Sequence, residues 1–413
     1  MQKSQLPHRP MGLAAPSRRE SLALTLAATA ALIAPAPLAR AAEDFGQWVA
    51  RFRAKALTRG ISADTYDRAM DGLQPDKTGL EAIHNQAEFN EQLWQYLNRR
   101  VSDWRVTAGK EKAKEYGALF SRIEKDFGVE RAIMLGVWGV ESAYGDPMVQ
   151  QKYMRPVFPA LAALAWGEPR RRAYWEKELL NALVIVERGW SNPKEMVGSW
   201  AGAMGHTQWM PEVWLNVGLD FDGDGRVSPF GSPADALAST ARYLVNRGNY
   251  RRGERWGHEV KGPTARGKRA YSAWQAAGVR RASGEAFPLP KASARRWTPA
   301  PGGPSFLIGQ NFDAVHSYNP SMNYTLAIVH LSDRLRGDGP FVQPFPGSER
   351  TPTLAELKEL QQRLTKAGFD TGGLDGRVGN DTMRAVKAYQ EKVGLDPADG
   401  YAGLKVLARL RQG

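Results

Sequence analysis

The stretch Leu135-Gly-Val-Trp-Gly-Val-Glu-Ser-Ala-Tyr-Gly145 constrains the fold of this 413-residue chain more than any other. Every position in it is apolar, aromatic or small except Glu141. At helical spacing Met134, Val137, Trp138, Glu141 and Gly145 fall on one face, because residues three and four apart stack above each other. Such a helix must sit inside a helical core. A carboxylate on a mostly buried face loses solvation of its charged form, so its pKa should rise. If the helix ends near Gly145, with Pro147 beyond, the negative end of its dipole pushes the same way. A carboxylic acid that stays protonated near neutral pH is what a general acid needs to hand a proton to a leaving oxygen. The plain alternative is a buried Glu satisfied by backbone or arginine partners.

The length allows two or three domains with a sizeable core. A formal net charge of +13 suits an anionic partner. Nucleic acid is not favoured, since no zinc-finger, RRM or helix-turn-helix signature accompanies the charge. The absence of cysteine excludes disulfides, thiolate metal sites, a cysteine nucleophile and a lipid anchor on an N-terminal Cys. Residues 1–41 read as a cleavable export signal. His8, Arg9, Arg18 and Arg19 precede an apolar stretch from Leu22 to Ile33, and Ala39-Arg40-Ala41 offers a small-x-small cleavage site. Ser17-Arg18-Arg19-Glu20-Ser21-Leu22 looks like a twin-arginine signal with Ser21 in place of the usual bulky residue. No later segment is apolar enough to span a bilayer, so no stable membrane anchor is expected.

From Asp44 to about Arg336 the chain reads as mainly helical, with helical spacing in Phe45–Leu57, Ala113–Lys125, Tyr174–Arg188 and Asp235–Leu244. Strand signals are sparse. Residues 261–304, basic and rich in Gly and Pro, predict a smaller irregular lobe or long loop. Residues 337–352 read as a linker, with three prolines and three glycines between Gly337 and Ser348. Residues 353–413 resume a helical pattern as a separate small domain.

Further constellations carry chemistry. Ala201-Gly-Ala-Met-Gly-His-Thr-Gln-Trp-Met-Pro211 lets backbone approach a ligand, while Gln208 and Trp209 supply an amide and a flat stacking surface suited to a sugar. The alternative is a tight helix-packing turn, and His206 alone reads as a structural residue. Asp220-Phe-Asp-Gly-Asp-Gly-Arg-Val-Ser228 matches the start of an EF-hand loop, with Asp220, Asp222 and Asp224 as hard oxygen ligands and Arg226 offering its carbonyl. Gly231 stands where the bidentate Glu is usual, so Asp235 on the next helix is the nearest residue to close a structural Ca2+ site. An Asx-rich turn without metal is the alternative. In His316–Ala327, Tyr318, Asn319, Ser321 and Tyr324 gather polar and aromatic groups at the start of an apolar helix. Ser321 or Asn319 suits an N-cap, and the tyrosines suit the wall of a sugar groove.

In order along the chain, Gly136–Gly145, Ala201–Pro211, Asp220–Gly225 and Tyr318–Tyr324 together resemble the MltB-type lytic murein transglycosylases, glycoside hydrolase family 103. The resemblance runs from about Phe45 to Leu335. It implies a lysozyme-like helical catalytic domain over residues 44–336, with Glu141 as the sole acid/base. It also implies that Ser142, Gln208, Tyr318, Asn319 and Tyr324 lie in the substrate groove, with Arg170 and Arg171 near the substrate, and the residue pattern adds Trp209 and Ser321 as substrate-binding candidates. Leu357–Leu364, Gly368-Phe369, Leu374–Gly379, Tyr389-Gln390, Gly394-Leu395 and Asp399-Gly400 are similar to the type 1 peptidoglycan-binding domain, a three-helix module that would tether the enzyme to the wall. The implied activity is non-hydrolytic cleavage of the MurNAc-β-1,4-GlcNAc bond to 1,6-anhydromuramic ends, with no cofactor required for the chemistry. A hydrolytic muramidase and a non-enzymatic wall-binding scaffold are the alternatives. The implied location is the periplasm, and the implied partners are peptidoglycan strands, with cell-wall synthesis or remodelling proteins as candidate associates.

Overall fold

The computed structural model describes residues 43–84, 91–146 and 154–413, so the export-signal reading of residues 1–41 lies outside it. Helix α1 (Phe45–Thr58) buries Trp48 and Phe52, and α2 (Ala63–Met70) starts where the Ser62 hydroxyl accepts the Thr65 N–H. After α3 (Thr78–His84) come α4 (Leu93–Arg100), α5 (Asp103–Glu115), α6 (Gly117–Phe127) and α7 (Arg131–Ser142). The predicted helix over Ala113–Lys125 is therefore split at Tyr116, whose backbone leaves helical geometry.

A short ladder of β1 (Arg155–Pro156) and β2 (Val197–Gly198) brackets α8 (Val157–Gly167) and α9 (Arg172–Glu187). Helix α10 (Pro211–Val217) opens with proline at its first position, where the missing N–H costs nothing. Helix α11 (Ala234–Asn246) follows the acidic loop.

These helices build two cores. One joins Trp48, Phe52 and Met70 to Leu161, Leu179, Trp209 and Trp214. The other surrounds α7, joining Met134, Val137 and Trp138 to Leu237, Phe312, Ile328 and Leu331. The one-faced burial expected of α7 is exceeded: residues 132–140 are all buried, and only Arg131 and Glu141 keep partial exposure. Glycine makes the close crossing with the later helix possible, since a Cβ on Gly136 would meet the Ile328 carbonyl at 2.7 Å.

Residues 257–308 correct the expectation of an irregular lobe. They form an antiparallel sheet of β3 (Gly257–Lys261), β4 (Lys268–Ala270), β5 (Arg280–Arg281), β6 (Ser293–Trp297) and β7 (Ser305–Ile308), ordered β4-β6-β7-β3-β5. The register places Leu307 opposite both His258 and Arg296. With α12 (Tyr271–Ala276), the sheet encloses its own small core of Val260, Trp274, Phe287 and Leu307. Strands of two to five residues are too short to show clear alternation between Gly- and Pro-rich turns.

Helices α13 (Gln310–Tyr318) and α14 (Met322–Arg336) return to the second core. The segment after them is anchored. Phe341 stacks on His330 with ring centroids 3.8 Å apart, and the Val342 and Gln343 N–H groups donate to Glu259. The tail folds as α15 (Leu354–Lys366), α16 (Asn380–Val393) and α17 (Leu404–Arg411) around Leu360, Val386 and Leu407. A Thr353–Glu356 capping box starts it. The tail also packs on α4: Gln95 donates to Asp399 at 2.5 Å, Asn98 to Tyr401 at 2.9 Å, and Tyr401 meets Trp94 edge-on. Arg377 stacks over Trp104 at 4.1 Å and pairs with Asp146.

Candidate active site

Glu141 sits on the last turn of α7, where the chain turns sharply away through Ala143, Tyr144 and Gly145, all at positive φ. Such backbone is costly for Ala and Tyr, and packing holds it: the Tyr144 hydroxyl donates to the Arg105 carbonyl and its ring packs against Trp138. The Tyr324 hydroxyl, on the first turn of α14, donates to Glu141 Oε1. Residues 183 positions apart thereby form the centre of the site.

The Glu141 side chain keeps partial exposure toward a cavity while protein atoms surround its carboxyl densely. Burial pushes its pKa from 4.5 up to about 7, opposed by the Tyr324 hydrogen bond and the charge of Arg100. The Tyr324 phenol is pushed well up by burial and by the facing carboxylate, so it stays a donor. The expected contribution of the helix dipole is offset. Arg105 Nε donates to the Gly139 carbonyl at 2.8 Å and Arg100 to the Val140 carbonyl at 3.3 Å, covering the negative end of α7 with cations. Burial and the neighbouring Arg100 push Arg105 itself down to about 9.

A cavity of about 430 Å³ opens beside Glu141. Arg100, Trp104 and Val140 line it from the helical side, and Asp375, Arg377 and Asp381 line it from the tail. Among the described residues, the other carboxylates in its lining are engaged. Glu91 pairs with Arg99, Asp375 with Arg377 and Asp381 with Arg384, while Asp399 accepts from Gln95 and Gln390.

The remaining candidates divide. Tyr318 is half-buried, donates to the Thr207 carbonyl at 2.6 Å, and is pushed up by burial and by Glu141. Gln208, at φ 55°, is half-buried with its amide donating to the Gly205 carbonyl. Gly205 is obligatory there: at φ 70° an added Cβ would lie 2.0 Å from the Pro229 carbonyl oxygen. Ser142 stands behind the site, its buried hydroxyl bonded to the His206 carbonyl at 2.6 Å. Ser321 caps α14 by accepting the Tyr324 N–H, and exposed Asn319 ends α13.

The expectation that Trp209 is a stacking platform is corrected. Its indole is 0% exposed within the first core, so it has no face to offer a sugar. Arg170 and Arg171 lie exposed on a 3-10 turn before α9, outside the cavity lining, with Arg171 over Tyr174. His206 is structural, as expected. Its Nδ1 accepts from the Trp138 indole, so Nε2 carries the hydrogen and donates to Gly231. Arg100 and Arg105 are site residues that the sequence does not single out. Their only signal was cationic positions flanking Val101-Ser102, which resembles a solvated face.

In the acidic loop, Asp220, Asp222 and Asp235 bring carboxylate oxygens within 4.8 Å of one another. Asp224 stands outside this trio, its carboxylate accepting the Arg226 N–H. Asp235 also accepts the Phe221 and Ser228 N–H groups, which ties the loop to α11. Burial and Asp222 push Asp235 up, a penalty that a bound cation would relieve.

Residues 44–333 match the transglycosylase SLT domain family, and residues 353–410 match the peptidoglycan binding domain family. The chain is 29% identical over 192 residues to membrane-bound lytic murein transglycosylase B of Escherichia coli, covering 46% of this chain and 51% of that relative. It thus spans about half the length of that curated relative. Among solved structures, SltB3 from Pseudomonas aeruginosa in complex with NAG-anhNAM-pentapeptide is 37% identical with a TM-score of 0.69. That match covers 89% of this chain and 100% of the other. The Escherichia coli lytic transglycosylase Slt35 in complex with calcium is 25% identical, TM-score 0.60, over 70% of this chain and 92% of that one.

Proposed function

Because the chain belongs to the transglycosylase SLT domain family, we propose that it is a lytic transglycosylase that cleaves the MurNAc-β-1,4-GlcNAc bond of peptidoglycan without water. The observation that carries this reading is Glu141 itself. It is an acid held near pKa 7 beside a cavity whose other carboxylates, among the described residues, are engaged with cations or amides. Protonated Glu141 donates to the glycosidic oxygen, and the C1–O bond of the muramic sugar breaks with its electron pair leaving on that oxygen. The 2-acetamido carbonyl of that sugar stabilises the positive charge at C1, which removes the need for a second carboxylate. Glu141, now a carboxylate, takes the proton of the C6 hydroxyl as O6 bonds to C1 and closes the 1,6-anhydro ring. Tyr324 holds Oε1 through both proton transfers, and Tyr318 lies close enough for the Glu141 charge to act on its phenol.

The tail from Thr353 onward, similar to peptidoglycan-binding domains, holds wall strands near the cavity and raises their effective concentration. Asp220, Asp222 and Asp235 would hold a hard cation such as Ca2+, which would stiffen the loop before α11 and take no part in the chemistry. A wall substrate, and a relative named for murein, support a periplasmic location for this work. Among the described residues no helix is long and apolar enough to cross a membrane. Digestion of purified sacculi followed by mass spectrometry tests the reading. Anhydromuramic ends are expected. Reducing muramic ends alone would replace it with a hydrolytic muramidase, and unchanged clearance by a Glu141→Gln chain would replace it with a wall-binding scaffold.

A further inference from the structure

Three arginines converge on the end of α7, and their charges are not used alike. Arg99 forms an ion pair with Glu91 at 2.6 Å. Arg105 is spent on carbonyls, donating to Gly139 and to Arg99 at 2.8 Å each. Arg100 has no ion pair among the described residues, and its Nε is buried without a hydrogen-bond partner. It reaches the Val140 carbonyl, one residue before Glu141, and lines the same cavity as Glu141. The Tyr96 ring lies 5.5 Å from its guanidinium carbon.

A half-buried cation on a cavity wall without an ion pair is costly, and an apolar residue of similar volume would serve the fold as well. The cost here depends on the state of Glu141. With Glu141 protonated, Arg100 faces a neutral group. Once the proton has gone to the leaving oxygen, Arg100 faces a carboxylate across the cavity wall. Its interaction therefore favours the state after proton transfer over the state before it, and only such differential interactions accelerate a step.

We infer that Arg100 is a positioning residue for Glu141: its charge stabilises the carboxylate that exists between the giving and the retaking of the proton. The inference rests on the reading of Glu141 as the acid/base. It accounts for the direction in which Arg100 acts on Glu141, which is opposite to that of burial. Other charged or titratable groups also face this point. Tyr96 and Arg99 come from α4, with Glu91 just before it, and Arg105 comes from α5. Tyr318 and Tyr324 come from α13 and α14. Across the cavity the tail presents Asp375, Arg377, Asp381 and Asp399. All are unchanged by the substitutions below.

The test is the titration of Glu141 in the full chain. It is followed by carboxyl 13C NMR of Glu-labelled protein and assigned by difference with Glu141→Gln. In Arg100→Met the midpoint should rise by about one pH unit. Arg100→Lys, which keeps the charge, should stay within a few tenths of a unit of wild type. Release of anhydro ends from sacculi by Arg100→Met should fall about tenfold in kcat, with KM within twofold and the alkaline limb displaced upward. An unmoved midpoint in folded Arg100→Met would overturn the inference. So would an Arg100→Lys chain that behaves like Arg100→Met, which would make shape and not charge the cause. If Arg100→Met does not fold, Arg100→Gln keeps a donor for the Val140 carbonyl and takes its place with the same expected shift. A wild-type chain that releases no anhydro ends defeats the proposed function, while the NMR midpoints still decide the role of Arg100.

Discussion

Glu141→Gln should stabilise the chain, and only above a certain pH. In the unfolded chain the carboxyl ionises near its ordinary 4.5, whereas in the folded chain burial holds it protonated up to about 7. Below pH 4.5 both states are protonated, and the group contributes no difference. Between 4.5 and 7 the unfolded chain releases the proton while the folded chain keeps it, so wild type loses stability with rising pH. Above 7 both are ionised and the deficit stays constant. At about 1.36 kcal/mol per pH unit the full deficit is about 3 kcal/mol. The partial exposure of Glu141 to the cavity reduces it to about 2 kcal/mol. Gln is neutral at every pH and still offers an oxygen to the Tyr324 hydroxyl, so it escapes the deficit. Differential scanning calorimetry of both chains should give coincident melting at pH 4 and higher melting for Glu141→Gln at pH 8, with sacculus clearance lost. A gain of equal size at both pH values, or none at pH 8, would refute the claim that burial of this one acid costs the folded state.

Tyr324→Phe removes a donor to the ionised form, worth about 1.5–3 kcal/mol, so the alkaline limb of the pH–rate profile should rise by about 1–2 units while kcat falls. A limb that moves down would contradict the direction of that hydrogen bond. Trp209→Ala should cost about 3–5 kcal/mol in denaturant unfolding and leave KM of the folded fraction near wild type, because the ring is core and not groove. A several-fold rise in KM without loss of stability would restore it to the groove. Adding Ca2+ to chelator-treated protein should raise the melting temperature, and Asp235→Asn should abolish that response, since Asp235 joins the loop trio to α11.

The chain encodes locally whatever repeats at helical or turn spacing. The apolar run before Glu141 announces an enclosed helix, and the acid within it announces its own desolvation. Asp220 and Asp222 announce an acidic turn by spacing alone, and the Asp-Gly turns divide the tail into its three helices. The sheet lobe escaped because strands of two to five residues hold too few positions to show alternation. Trp209 and Gln208 are neighbours in sequence, yet one is sealed in the first core and the other stands half-exposed. Only the packing of α9, α10 and α11 around that turn decides which. The decisive pairs all span long stretches of chain: Tyr324 with Glu141, Arg100 with the Val140 carbonyl, and Asp399 of the tail with Gln95. Local sequence carries burial and periodicity, whereas partnership between distant residues is settled only when whole helices pack. The elevated pKa of Glu141 was therefore legible, and the two groups that hold it at about 7, Tyr324 and Arg100, were decided by tertiary structure alone.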